Sequence, residues 1–163
     1  MNVGLRELLD YTQEQQEKWE RWFAEKGDGP LGIAIGSGRL ENVGQVVRHT
    51  LGVNLYFAER LAGKPVTRYW EMPLPDTAGL FRFGTQAKQA LREFILTNPD
   101  WNAIVDLQAP GISVRPTVRT AVLNAIVHEI RHWAQISALM RQHGFEPPPD
   151  QDVILSKVFD AHE

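Results

Sequence analysis

The stretch VLNAIVHEIRHWAQ, residues 122–135, carries the strongest pattern in this chain. Its apolar residues recur at intervals of three and four, as they do along the buried face of an α-helix. On such a helix His128 and His132 lie on the same face, about 5–6 Å apart at Cβ. Two imidazoles at this spacing can bind one divalent metal ion through their ring nitrogens. The stretch therefore predicts a helix that carries two metal ligands.

Helical periodicity recurs in three further stretches, each ended by glycine or proline. The four predicted helices run from about Leu5 to the break at Gly27–Pro30, from Leu40 to Ala62 with Gly63 as a left-handed stop, from Thr77 to Thr97, and from Thr117 to Gly144. Four helices of similar length predict an all-α fold, a four-helix bundle. The long second and third connections leave both an up-and-down and an up-down-down-up arrangement open.

The remaining segments are short. Residues 103–107 and 111–114 flank Ala109–Gly111, which predicts either a short hairpin or an extended loop before the fourth helix. Residues 145–163 form a tail that begins with prolines and could add a short docking helix over residues 154–159. A chain of 163 residues is expected to form a single domain, residues 1–163, with its core over roughly residues 5–144.

Composition narrows the classes of partner. The net charge is −3 and no cluster of lysine and arginine stands out, which argues against nucleic acid as a partner. No apolar run could span a bilayer, and the N-terminus lacks a signal-type core, so we expect a cytoplasmic protein without a membrane partner. The chain has no cysteine, which excludes disulfides, thiolate metal ligands and a cysteine nucleophile.

A third metal ligand is predicted from the second helix. Polar residues form one strip on each of the two helices, and each strip lies beside apolar residues. The strips are Asn124, His128, His132 and Gln135 on the fourth helix, and Gln45, His49 and Tyr56 on the second. If these helices are neighbours, the three histidines complete one site, and the other four residues are candidates to orient ligands or substrate. Three imidazoles leave a coordination position open, as catalytic zinc sites do.

Glu129 allows a second interpretation of the same residues. His128–His132 also matches His-Glu-x-x-His, the zinc metallopeptidase signature, in which the glutamate acts as general base. The version with a third histidine expects glycine three residues after the second, where this chain has Gln135. Glu146, the candidate for a downstream glutamate ligand, leads into prolines. A glutamate next to a metal ligand can also assist as a base in another enzyme class.

The ordered motifs resemble the DinB/YfiT-like family of metal-dependent enzymes. The resemblance rests on a single histidine in the second helix, in VVRH at residues 46–49, and on the late pair with three residues between its histidines. A glutamine three residues after the second histidine, in HWAQ at residues 132–135, is a further match. Helix ends at residues 61–64 and 140–144 agree as well, and the similarity covers roughly Leu5 to Gly144.

The resemblance implies nickel, zinc or a similar divalent ion on His49, His128 and His132, in a bundle that is usually a homodimer. It also implies a small-molecule substrate or a thiol cofactor. From it we expect a hydrolase of a small substrate, with Glu129 as a candidate catalytic residue. The alternatives are a thiol-dependent S-transferase or isomerase, a non-catalytic bundle that binds a small ligand or a metal, and, least favoured, a zinc metallopeptidase.

Overall fold

The computed structural model describes residues 4–36, 38–109 and 112–159. Four long helices dominate it, which confirms the predicted all-α bundle. They are α1 (Leu5–Lys26), α2 (Val43–Leu61), α3 (Thr77–Leu96) and α4 (Val118–Gln142). Single 3-10 turns lie between the helices at Gly29–Gly32 and Tyr69–Glu71. Within the described ranges, none of the helices combines the length and hydropathy that a membrane span requires.

Polar side chains set the helix starts. The Oδ1 atom of Asn42 accepts from the backbone N–H of Gln45, so α2 begins three residues later than Leu40, its predicted start. Asp76 caps α3 and Thr117 caps α4 in the same way. The predicted left-handed stop after α2 is confirmed, because Gly63 has a φ of +67°.

The order of the helices around the bundle differs from a simple up-and-down arrangement. The main contacts run from α1 to α3, from α3 to α2, from α2 to α4 and from α4 back to α1. In a simple up-and-down bundle, consecutive helices lie side by side. Here α2 instead packs against α4, which is the neighbour relationship that the predicted histidine site requires.

A short hairpin precedes α4, so the hairpin alternative was right. Strands β1 (Leu107–Ala109) and β2 (Ile112–Val114) pair antiparallel, with Leu107 opposite Val114. The first strand lies later in the chain than predicted, because residues 103–106 are held against the start of α4 by the Ile104–Thr117 bridge. Pro110 and Gly111, in the predicted turn, lie outside the described residues.

The tail does not form the predicted docking helix. It makes two separate 3-10 turns, Val153–Leu155 and Lys157–Phe159. Between them Ser156 has an extended backbone with φ −85° and ψ 135°, and its hydroxyl donates to Glu14 on α1. This side-chain bond competes with a continuous helix, as serine hydroxyls commonly do. Residues 160–163 are outside the described part of the tail.

Aromatic side chains form much of the core beside α4. The indole of Trp133 stacks on that of Trp19 from α1, with ring centroids 5.3 Å apart and planes 14° apart. Trp133 also stacks on the ring of Phe81 from α3, with centroids 6.4 Å apart and planes 6° apart. Trp133 follows His132 directly, so this packing limits the rotation of α4 at the position where the histidines lie.

Candidate metal centre

The three predicted ligands lie together between α2 and α4. The Nε2 atom of His128 is 3.1 Å from Nε2 of His49 and 3.1 Å from Nε2 of His132. All three rings are partly buried. Among the described residues, this group contains three histidines and no fourth histidine, cysteine or carboxylate ligand.

The spacing of the nitrogens fits one divalent ion. Ligand nitrogens at about 2.0–2.1 Å from a zinc ion lie roughly 2.8–3.4 Å from one another, for angles between the octahedral and tetrahedral values. The two observed Nε2 separations fall in this range. A cluster held by hydrogen bonds alone would need a proton in each Nε2–Nε2 contact, whereas one ion can accept the lone pairs of all three rings. The donor set therefore fits a metal better than a hydrogen-bonded cluster.

The electrostatic environment keeps the rings neutral. Burial first, and then the charge of neighbouring histidines, lowers the pKa of His128 to about 3 and that of His49 to about 4. Burial also lowers the pKa of His132. Metal binding requires neutral imidazole, so near pH 7 the site needs to release few protons before it can bind an ion.

Two side chains contact the Nδ1 atoms of the rings, on the side away from the facing Nε2 atoms. Gln135, one turn beyond His132, places Oε1 2.9 Å from His132 Nδ1. A carbonyl oxygen only accepts, so Nδ1 carries the proton and the Nε2 lone pair is free to bind a metal. The hydroxyl of Tyr69 lies 3.3 Å from His49 Nδ1. The Nδ1 atom of His128 is buried and has no hydrogen-bond partner in the described residues.

Tyr69 was missed by the sequence analysis, although the chain carries a signal for it at Gly52. Tyr69 is buried in the loop between α2 and α3, and its ring lies over Gly52. A Cβ atom at position 52 would come within 2.5 Å of that ring. The glycine on α2, three residues after His49, therefore leaves the space that allows the Tyr69 hydroxyl to reach the histidine.

Polar contacts hold this loop on α2. The guanidinium of Arg48 donates to the backbone carbonyls of Trp70 and Met72. The Glu59 carboxylate accepts from the backbone N–H of Thr67 and from its hydroxyl, both at 2.7 Å. Tyr69 lies in the sequence between the segments that Glu59 and Arg48 bind. These contacts therefore fix its position beside the histidines.

Three other predicted site residues do not contact the histidines. The amide of Gln45 accepts from the backbone N–H of Glu41 and donates to the carboxylate of Glu41, at the start of α2. The hydroxyl of Tyr56 donates to the carbonyl of Gln108 in β1. Asn124 is exposed one turn before His128. Sequence spacing placed all three on the strips that carry the histidines, but Glu41 binds Gln45 and the more distant Gln108 binds Tyr56.

Glu129 occupies a position that does not suit a catalytic base. Its side chain is fully buried, and its two oxygens lie 2.7 and 2.8 Å from Nζ of Lys88. The same carboxylate accepts from Asn54 Nδ2 and from Trp133 Nε1. One residue is about 100° of helix rotation, which turns Glu129 from the face of His128 into the core. The carboxylate thus connects α2, α3 and α4.

An open pocket borders the histidines. Its volume is about 430 Å³, and its lining consists of His128, Arg131, His132 and Gln135. A small molecule in this pocket would meet the two α4 ligands from outside the bundle. The histidine rings are thus held by protein side chains on one side and can be reached by a small molecule on the other, a common arrangement for small-molecule sites.

Together these features define a helical bundle that carries a three-histidine candidate metal centre beside an open pocket. The model of the DinB family matches residues 1–157 of this chain. The match covers nearly the whole sequence, so the chain belongs to the DinB family. A search among curated proteins found no match.

Proposed function

We propose that this protein is a metal-dependent enzyme that acts on a small molecule in the pocket beside the histidines. The proposal rests on one observation: three neutral imidazoles place their ligand atoms within 4.8 Å of one another, beside an open pocket. Within the described residues no fourth protein ligand closes the site. A purely structural metal site would be expected to have one.

The chain's own residues prepare the centre. His49, His128 and His132 would hold the ion, with Gln135 and Tyr69 fixing two of the rings. A divalent ion in an open site supplies Lewis-acid chemistry, lowering the pKa of a bound water or thiol. Imidazole suits zinc and nickel alike, and we propose one of these two metals.

Two reactions remain compatible with this site, hydrolysis and thiol transfer. The lining of the pocket includes no carboxylate, and the carboxylate of Glu129 is bound by Lys88. The nucleophile must therefore ionise without a glutamate base. A free thiol has a pKa of about 8.5 whereas bulk water has one of about 15.7, so a thiol needs less help. This observation favours thiol transfer over hydrolysis. It also weighs against a metallopeptidase, which needs that glutamate as its base.

The test compares two assays on protein loaded with zinc or nickel. One assay follows hydrolysis of activated esters, and the other follows conjugation of a small thiol to an electrophile. Activity in either assay that is lost in His128→Ala and kept in His143→Ala supports the proposal. Stoichiometric metal without activity, and with no change in the metal's absorption when small thiols are added, would instead indicate a non-catalytic metal-binding bundle.

A further inference from the structure

Apart from the histidine nitrogens that face the candidate metal site, the side chains that line the pocket offer mainly hydrogen-bond donors. Arg131 contributes a guanidinium, which has five N–H donors and no acceptor. The Oε1 acceptor of Gln135 is occupied by His132, which leaves the amide N–H groups of Gln135 for a ligand. In the part of the chain that the structure describes, Arg131 has no ion pair or side-chain hydrogen bond. The lining residues therefore include no carboxylate that could pair with a cationic ligand.

The charged side chains that act on the three histidines are arginines. The three histidines are neutral ligands, so they would not offset the two positive charges of a bound divalent ion. Arg131 lies close enough to act electrostatically on His128 and His132, and Arg39 acts on His49 in the same way. The nearest carboxylate in sequence, Glu129, is neutralised in the core by Lys88.

We propose that the pocket selects a small anionic ligand, with Arg131 binding a carboxylate or a similar oxygen anion while the ligand's reactive group faces the histidines. This inference rests on the proposed function and names its substrate class. Arginine suits this role because its planar donors match the two oxygens of a carboxylate. The position of Arg131, one residue before His132 and three after His128, places the anion site next to the metal site.

The experiment titrates protein loaded with cobalt(II), whose visible absorption reports ligand binding, with three thiols of similar size. Mercaptoacetate is an anion, 2-mercaptoethanol is neutral and cysteamine is a cation. All three can offer sulfur to the metal, and the comparison of each affinity with that of the Arg131→Gln variant separates the charge preference of the pocket from chelation of the metal by the second group of the thiol. We expect mercaptoacetate to bind at least about tenfold more tightly than 2-mercaptoethanol, with cysteamine weakest.

An Arg131→Gln variant should reduce the advantage of mercaptoacetate by about tenfold while leaving the affinity for 2-mercaptoethanol unchanged. Arg119→Gln is the matched control, an exposed arginine in the first turn of the same helix, and should behave like the parent protein. Cobalt content measured in each variant separates loss of metal from loss of anion binding.

Equal affinities for the three thiols, or an anion preference that survives in Arg131→Gln, would overturn the inference while leaving the proposed metal-dependent function standing. A protein that takes up no cobalt would overturn both. A preference for the anion that disappears only in Arg131→Gln would support the assignment.

Discussion

Lys88 and Glu129 form an ion pair in the interior of the bundle, with their side chains 1% and 0% exposed. The ammonium also donates to the hydroxyl of Thr12, so this lysine links α1 to α3 and α4. Glu129 directly follows His128, and it accepts from Asn54, which lies on the helix that carries His49. The pair therefore joins the two helices that carry the histidines through a single carboxylate.

Replacing one partner of this pair should destabilise the fold strongly. In Lys88→Met the carboxylate of Glu129 would remain buried without its cation. We expect the free energy of unfolding to fall by about 3–5 kcal/mol, measured by urea denaturation. Arg115→Gln is the control, because it breaks the exposed pair with Asp106 and should cost less than about 1 kcal/mol.

The double variant Lys88→Met with Glu129→Met distinguishes support of the fold from support of the site. It removes both charges, so much of the lost stability should return. The Asn54–Glu129 bond is absent, however, and the metal should bind more weakly than in the parent protein. Equal metal affinity in a stable double variant would show that the pair does not position the histidines.

Metal binding should depend on both helices. We expect protein purified without chelator or affinity tag to contain about one equivalent of a divalent ion, and His49→Ala and His128→Ala to lose it. Elemental analysis of the purified variants is the measurement, with His143→Ala as a control at the end of α4. Metal retained in His49→Ala but lost in His128→Ala would support the metallopeptidase interpretation instead.

The metal-free protein should lose stability in mild acid. The folded pKa values of His49 and His128, about 4 and about 3, lie below the ordinary value of 6.5. As the pH falls below 6.5, the unfolded chain binds protons that the folded chain excludes, so the free energy of unfolding decreases until the folded rings titrate. Above the ordinary value both states are neutral, and this loss is absent.

Urea midpoints measured with chelator at about pH 7 and about pH 5 test this dependence. The variant His49→Asn with His128→Asn should show a smaller decrease between the two pH values than the parent protein. An equal decrease in both proteins would assign the acid sensitivity to other groups.

Gln135 should affect metal affinity through its hydrogen bond with His132. Gln135→Leu removes the acceptor for Nδ1–H, and the loss of such a partner typically lowers metal affinity about 10–100-fold. Gln135→Glu keeps an acceptor at this position and should recover most of the affinity. Gln142→Leu, at the exposed end of α4, is the matched control. Competition with a chelator of known affinity measures all three, and unchanged affinity in Gln135→Leu would rule out the proposed support.

Gly52 should be intolerant of a side chain. In Gly52→Ala the new methyl group would collide with the ring of Tyr69, so the tyrosine hydroxyl should move away from His49. We expect weaker metal binding, together with a change in the accessibility of the Tyr69 ring to nitration. Tyr69→Phe should reproduce the loss in affinity, since it removes only the hydroxyl. Unchanged metal affinity in Gly52→Ala would contradict this account.

The candidate site shows where local patterns are informative. The spacing of His128 and His132 and the position of Gln135 depend only on the geometry of one helix, so periodicity predicted them. A sequence motif does not show which way a neighbouring side chain turns, and the structure turns Glu129 into the core. Its cation, Lys88, comes from a helix that is distant in the sequence, and nothing local to either residue marks the pair.

The sequence by itself determined the four helices, their glycine and proline boundaries and the residue types able to bind a divalent ion, because these depend on interactions within a few residues. The tertiary structure decided that α2 packs against α4, that Tyr69 lies on His49 and that Glu129 lies in the core. These contacts join segments that are distant in the sequence. They form because the helices pack closely around a common core and because a buried carboxylate requires a cation.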